Sequence, residues 1–316
     1  MIGANVRVCH NAVGTIQDIV PDAPKIVVVQ RMLPNVENWL PAIKALVKRG
    51  WLIVSEIDDY PLVPIKSIRD AWDASMQWQG YAACHAVQTS TETLRQVFLP
   101  YNDEVMVFPN QLFQLPPAVA KPEEDIRLFL GALNRQDSWA PLIEQLNKLI
   151  HKYPQIVPLV IHDEYLFKAL KSDRKLFQKK LVYADYSKAM AGSHIALLPL
   201  TDTEFTRHKS DIKFVEAAGA RAAVIASPAV YGQVIKHGET GLVADTPEEW
   251  EKHLETLICN KGLRNRLAWG AFNYVVKERM LHNHIHKRVD WYYDLWARRD
   301  ELNKALYERI PELAEA

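Results

Sequence analysis

The chain has 316 residues, 48% of them hydrophobic and 24% charged, which is length enough for two domains with a core each. Lys plus Arg equals Asp plus Glu at 38 each, so no net field exists to recruit nucleic acid or an anionic membrane. Cys9, Cys84 and Cys259 have no metal or disulfide spacing and suit a reducing cytosol, and no apolar run reaches the roughly 18 residues of a membrane span.

The start, MIGANVRVCHNAVG, lacks the cationic stretch and apolar core of a secretory signal. Short β-branched runs then alternate with helical patterns, the signature of parallel α/β architecture. IVVVQR (Ile26 to Arg31) reads as a buried strand, followed by an amphipathic helix around Asn38 to Lys48 closed by Gly50. WLIVSEIDD is a second strand ending in Asp58 and Asp59, and a helix is expected around Ile68 to Tyr81. AVQTS is a strand whose end, Ser90 or Thr91, caps the helix TETLRQVF; EVMVFPN is the next strand, stopped by Pro109.

The proline-rich LFQLPPAVAKPEED has little periodicity and reads as a linker. Alternation resumes with the strand DIRLFLGAL, a helix from Leu142 to Lys152, and strands at IVPLVIH, KLVYA and HIALLPL. The helix DIKFVEAAG, the strand AAVIAS, the turn HGETG and the helix EEWEKHLETLI follow. From Leu281 the tail reads as one long helix with Ile285, Val289, Tyr292 and Trp296 in a single apolar stripe. Packing on the first domain is the favoured reading of that stripe; an interfacial membrane helix is the alternative. The domains expected are therefore 1–112, a linker 113–126, a second domain 127–280, and 281–316 returning to the first.

The chemistry concentrates between His208 and Trp250. Ser210 is a natural N-cap for the following helix, whose N-terminus suits a phosphate, and Lys209 and Lys213 add formal charge beside it. Glu216 lies six residues beyond Ser210, about 9 Å along a helix axis. One helix thus has the reach to hold a diphosphate near its start and a ribose further along. Asp58 and Asp59 end a strand, where side chains of a parallel sheet face a ligand crevice; a helix-cap or turn role is the plainer reading, and a metal pair a third. His85 reads equally as a buried structural histidine. Of His282, His284 and His286 only the outer two share a helix face, with no acid or cysteine to complete a metal set.

KFVEAAGARAAVIAS and HGETGLVAD resemble the donor-binding half of GT-B glycosyltransferases, particularly the retaining family 4. LFLGALNRQDSW resembles the opening strand and basic loop of that half, IALLPL the strand before the donor site, and VMVFPNQL and VQTSTETL the end of the N-terminal domain. The resemblance runs from about Lys25 to Met280. It implies two Rossmann-like domains with a deep interdomain cleft and a C-terminal helix crossing back to the first. It also implies a donor such as a UDP- or GDP-sugar, no required cofactor or metal, and transfer with retention.

By resemblance Glu216 hydrogen-bonds the ribose, and Lys209 and Arg135 neutralise the leaving diphosphate. Ser210 and Lys213 sit near the same phosphates, and Gly131 lies where a side chain would obstruct the donor. The Gly238 to Gly241 turn, with Thr240, shapes the pocket floor or is simply a structural turn. Asp58 and Asp59 face the acceptor, a glycan, lipid-linked group or protein, with peripheral membrane contact left open. One position departs from the pattern: His208 stands where the family has a glutamate contacting the sugar, with Glu204 nearby. That departure motivates an alternative, a non-catalytic relative binding nucleotide-sugar or a partner protein. Related enzymes carry further strands and a glycine-rich loop ahead of Ile26, so the chain is expected to be a minimal version or a piece of a longer protein. A nicotinamide enzyme is disfavoured, because no G-x-G-x-x-G follows a strand.

Overall fold

A computed structural model describes residues 23–30, 36–61, 80–131 and 135–314. The chain divides into two compact units, Met1–Pro109 with His286–Ala316, and Asn110–Ile285. Arg31 and most of the helix expected around Ile68 to Tyr81 lie outside the described residues, as do Cys9 and Ala132 to Asn134.

Unit 1 begins with β1 (Ile26–Gln30), α1 (Val36–Lys48), β2 (Leu52–Ile57), β3 (Ala86–Thr89), α2 (Glu92–Phe98) and β4 (Val105–Val107). The strands pair in parallel in that spatial order, with Ile26 opposite Leu52, Val54 opposite Ala86 and Val87 opposite Val105. Gly50 turns α1 into β2 at φ +77°, a conformation that a side chain would penalise. Thr91 is the cap of α2: its Oγ1 accepts from the Leu94 N–H at 3.2 Å.

Unit 2 runs β5 (Ile126–Gly131), α3 (Gln136–Trp139), α4 (Ile143–Lys152), β6 (Ile156–Ile161), α5 (Glu164–Ala169), β7 (Leu176–Gln178), α6 (Tyr183–Ala191) and β8 (Ile195–Leu198). It continues with α7 (Glu204–Arg207), α8 (Ile212–Gly219), β9 (Ala223–Ala226), α9 (Pro228–Tyr231), β10 (Leu242–Val243), α10 (Pro247–Cys259) and α11 (Lys261–Glu278). The sheet is parallel, in the order β10-β9-β8-β5-β6-β7. Strand residues alternate between two cores: Leu128 and Leu130 pack with Trp139 and Leu146, whereas Phe129 packs on the other face with Phe214 and Val215. Burial on both faces explains why β6, β8 and β9 are continuous apolar runs.

KLVYA is not a strand. Val182 is the extended N-cap residue of α6, and the edge strand is the less apolar Leu176–Gln178. An edge strand is covered less, so its alternation carries a weaker apolar signal.

The tail is two helices, α12 (Leu281–Ala297) and α13 (Arg299–Arg309), not one. They part at Arg298, whose guanidinium bonds Asp294 at 2.7 Å and Glu104 at 2.9 Å. The buried stripe is also displaced from the expected one. Trp291, Leu295 and Leu302 bury with Leu52, Val54 and Ala86, leaving Tyr292 and Trp296 half-buried at the margin. Leu306 and Leu313 join Ile43, Leu46 and Ile53. The indole of the buried Trp291 donates to Glu104 at 3.1 Å and the Tyr292 hydroxyl at the margin donates to Gln88 at 2.6 Å, so each polar tip has a partner. Among the described residues no helix is long and apolar enough to cross a membrane.

Candidate functional site

The C-terminal ends of parallel strands are where open α/β sheets bind ligands. In unit 2 that edge receives Arg135, which follows β5, and the loops after β8 and β9. Arg135 Nη1 donates to the Pro199 carbonyl at 3.2 Å and approaches the Tyr231 hydroxyl at 3.5 Å. The Ser227 hydroxyl, at the end of β9, accepts from the Leu200 N–H at 2.9 Å and fixes the loop after β8. That loop leads into α7, which packs beside α9 and its Tyr231.

Glu216 is 7% exposed, although it is a carboxylate on a helix. Its Oε2 accepts from Lys213 at 2.9 Å, one helical turn away, and Lys213 also donates to the Tyr186 hydroxyl at 3.2 Å. The Lys213 ammonium lies 4.6 Å from the centre of the Tyr186 ring, which packs edge-on against Phe129 of β5. Burial by itself lowers the Lys213 pKa, but Tyr186 and Glu216 outweigh it and hold the group above the ordinary lysine range. Burial pushes Tyr186 up to about 12, moderated by the neighbouring cations Lys213 and Arg135. Tyr183 is raised by burial and then by Glu216. Arg135, Tyr183, Tyr186, Lys213 and Glu216 therefore form one electrostatic cluster of two cations, one buried carboxylate and two phenols.

Lys209 and His208 follow α7. The Lys209 ammonium stands 4.4 Å over the Phe205 ring, and His208 Nδ1 donates to the Glu204 carbonyl at 2.7 Å. Thr203 caps α7 with a reciprocal pair of bonds to Thr206, so these four residues form a defined turn. The imidazole is thereby anchored to the turn that also carries Glu204.

Ser210 is not the N-cap of α8. Asp211 is the residue before the helix, and Ser210 Oγ instead accepts from Asn110 at 2.8 Å. Asp211 prefers a stronger partner: both its oxygens are taken by the Arg279 guanidinium, the Oδ1 contact at 2.7 Å. Arg279 also donates to the Asn110 carbonyl at 2.7 Å, and the Leu112 N–H donates to the Arg279 carbonyl at 2.9 Å. The segment after β4 is thus fastened across the start of α8. A Cβ on Gly219 would come within 2.6 Å of Leu112, which accounts for the glycine at the end of that helix.

Gly131 has an internal reason to be glycine. A Cβ there would meet the Phe129 ring at 2.5 Å. The turn from Gly238 to Gly241 is likewise set by local packing. Thr240 Oγ1 accepts from the Lys236 N–H at 2.9 Å, Gly238 has φ +82°, and a Cβ on Gly241 would stand 3.2 Å from the Val224 carbonyl. Asp58 and Asp59 belong to unit 1, half-buried just beyond β2 at the C-terminal end of its sheet. His85 is the buried histidine of the two readings: its Nδ1 accepts from the Ile53 N–H at 2.9 Å, and its Nε2 donates to Asn303 at 3.0 Å. Among the described residues no group of three or more His, Cys, Asp or Glu is placed to hold a metal.

Sequence reasoning missed Tyr183, which falls in the segment KLVYA read as a strand, and Tyr186 just beyond it. It also missed Asp211 and Arg279, whose pairing joins positions 68 residues apart. The three-residue spacing of Tyr183 and Tyr186 is the signal that a helical reading would have offered.

Residues 124–260 match the family model described as Glycosyl transferases group 1. The chain is similar in structure to the pneumococcal O-GlcNAc transferase GtfA in complex with UDP and GlcNAc, with TM-score 0.63 and 10% identity over 85% of this chain and 56% of that one. It is similar to TarM with TM-score 0.62 and 11% identity over 84% of this chain and 54% of that one. It is also similar to HepE from Anabaena in complex with UDP and glucose, with TM-score 0.62 and 13% identity, over 85% and 78% of the two chains. The chain spans about half the length of TarM and GtfA. No curated protein matches it in sequence.

Proposed function

We propose that this chain, which has the GT-B glycosyltransferase fold and a group 1 match over residues 124–260, transfers a sugar from a nucleoside diphosphate-sugar to an acceptor. The observation that carries the proposal is the cluster at the C-terminal edge of unit 2's sheet. Lys213 and Arg135 supply positive charge there, and Glu216 supplies a buried acceptor. An anion that also bears hydroxyl groups matches that pairing, and a nucleoside diphosphate is such a ligand. UDP is the first nucleotide to test, since GtfA and HepE were solved with it; GDP is the second.

In the proposed reaction Glu216 accepts hydrogen bonds from the ribose, and Lys213 fixes the carboxylate's orientation. The bond from the anomeric carbon to the diphosphate breaks, and a bond to the acceptor oxygen forms on the same face. The acceptor's proton passes to the departing phosphate oxygen, so no carboxylate nucleophile is needed. Lys209, Arg135 and the start of α8, near Ser210, stabilise the charge that develops on the leaving group. These cations make a metal bridge unnecessary. Gly131, Thr240 and Gly241 act through the packing that shapes the loops around the donor. Asp58 and Asp59 are assigned to the acceptor, a glycan, lipid-linked group or protein. The scattered cysteines, which show no paired spacing in the sequence, favour a cytoplasmic setting.

His208 favours a second reading, in which the protein binds nucleotide-sugar without transferring it. By resemblance His208 stands where the family pattern has a glutamate that contacts the sugar. The test is a thermal-shift panel of UDP-, GDP-, ADP- and dTDP-sugars. A ligand at 100-fold its dissociation constant stabilises by about 2.7 kcal/mol, and one nucleotide should stand apart. No shift with any of them removes both readings.

A further inference from the structure

The sheet of unit 2 has a second charged edge, at the N-terminal ends of its strands. Arg127 is the second residue of β5, His194 immediately precedes β8, and Arg221 lies two residues ahead of β9. Backbone bonds make them neighbours: the His194 N–H donates to the Arg127 carbonyl and the Ala223 N–H to the His194 carbonyl, both at 2.9 Å. Lys121 Nζ donates to the Arg221 carbonyl at 2.5 Å, bringing in the segment ahead of β5. Arg264 arrives from α11, and its Nη1 donates to the Leu257 carbonyl at 2.6 Å.

No acid balances these groups. Among the described residues, no carboxylate forms an ion pair with Lys121, Arg127, Arg221 or Arg264, and none is among the charges that set the ionisation of Lys121, His194 or Arg264. Burial, with Arg221 and Arg264 beside it, lowers Lys121 to about 8. His194 adds no charge. Its Nδ1 accepts from the Arg127 N–H at 3.1 Å, and burial, with Lys121 and Arg264, lowers it to about 4.

Packing explains part of the arrangement. The Arg221 guanidinium lies 4.4 Å from the centre of the Phe272 ring and 5.3 Å from that of Trp269, and Arg264 closes the end of α10. It does not explain three donors left over: the buried Nε atoms of Arg127, Arg221 and Arg264 have no hydrogen-bond partner. Arg264 is only 6% exposed. Native structures leave few buried donors unsatisfied, and unpaired buried charges of one sign are costly. An oxyanion seated at the half-exposed Lys121 and Arg221 offsets the like-charge penalty, since guanidinium forks match the oxygens of a phosphate.

We infer that this edge is a binding site for a phosphate-type oxyanion, held by Lys121, Arg127, Arg221 and Arg264. It is distinct from the donor cluster. The six residues of β5 separate the two edges, about 20 Å at 3.3 Å per residue. The phosphate belongs either to a soluble molecule or to a lipid headgroup.

Calorimetric titration with inorganic phosphate and pyrophosphate, in UDP to occupy the donor cluster, tests the site, using wild type, Lys121→Gln and Arg221→Gln. Lys121 and Arg221 are half-exposed, so their variants should fold, which melting without ligand checks. Pyrophosphate affinity should fall at least tenfold in Lys121→Gln and in Arg221→Gln. Vesicles of phosphatidylcholine with and without phosphatidic acid identify the source. Capture only by phosphatidic acid vesicles, lost in the same two variants, assigns a headgroup; binding in solution assigns a soluble phosphate. Unchanged affinity in both variants, or no binding to phosphate, pyrophosphate or vesicles by wild type, overturns the inference.

Discussion

Replacing Glu216 with Ala separates the two roles that its position gives it. The side chain of Glu216 is 9% exposed and that of its partner Lys213 30%, at 2.9 Å. Exposed pairs contribute about 0.2–1 kcal/mol, whereas breaking a buried pair costs about 3–5 kcal/mol because an uncompensated charge remains. Lys213 retains some water, so a loss of about 1–3 kcal/mol of unfolding free energy is expected between these limits. Nucleotide affinity should fall as well, by about 1.5–3 kcal/mol for hydrogen bonds to a charged group, or roughly ten- to a hundredfold. Adding Lys213→Met distinguishes the causes, since it removes the stranded ammonium. Urea unfolding without ligand, and calorimetry with UDP and GDP, should show the double variant regaining stability relative to Glu216→Ala without regaining affinity. A Glu216→Ala protein that unfolds and binds like wild type would refute the assignment of this residue to either role.

Three further outcomes follow from the geometry. Asp211→Ala leaves the 7%-exposed Arg279 without its bidentate partner and should cost about 3–5 kcal/mol in urea unfolding, without altering the sheet of unit 1. His85 is neutral because burial lowers its pKa from 6.5 to about 4. A histidine depressed in the folded state is favoured to take a proton on unfolding, so stability should be flat above pH 6.5 and decline from there toward pH 4. His85→Asn should make that decline shallower in urea midpoints measured across the window, with His194, also lowered to about 4, sustaining part of the remainder. Gly270→Ala would place a Cβ 2.2 Å from the Glu239 carbonyl oxygen, a backbone atom that cannot rotate away. It should cost about 1–3 kcal/mol in thermal unfolding, with the turn from Gly238 to Gly241 the part displaced.

Much of this fold is legible because parallel strands buried on both faces write themselves as unbroken apolar runs. Ile156–Ile161, Ile195–Leu198 and Ala223–Ala226 are such runs, and α5 and α10 begin at the side-chain caps Asp163 and Thr246. The edge of the sheet is where that signal fails. Leu176–Gln178 is half-covered, so LVYA next to it looked more strand-like than the strand itself. The tail failed for another reason: Arg298 interrupts a helical pattern through contacts with Glu104, far away in sequence. In the site, the local pair Lys213–Glu216 was within reach of helical spacing, although the burial that gives it meaning comes from Tyr186 on another helix. Ser210 was read as a cap from local preference alone, and the long-range Asp211–Arg279 pair decided the matter. Gly131 reads by resemblance as clearing space for a donor, whereas the neighbour a side chain there would meet, Phe129, is visible only in three dimensions, as is Leu112 beside Gly219.

The most direct test is turnover. Wild type and Lys209→Ala are incubated with UDP- and GDP-sugars in EDTA, with water or a simple glycoside as acceptor, and release of nucleoside diphosphate is followed by mass spectrometry. In the proposed reaction Lys209 faces a charge that grows as the sugar departs, so its loss should slow release at least tenfold while changing nucleotide affinity much less. The account predicts release from one donor by wild type in the presence of the chelator. It is contradicted if wild type releases nothing from any donor that it binds, or if EDTA abolishes the release.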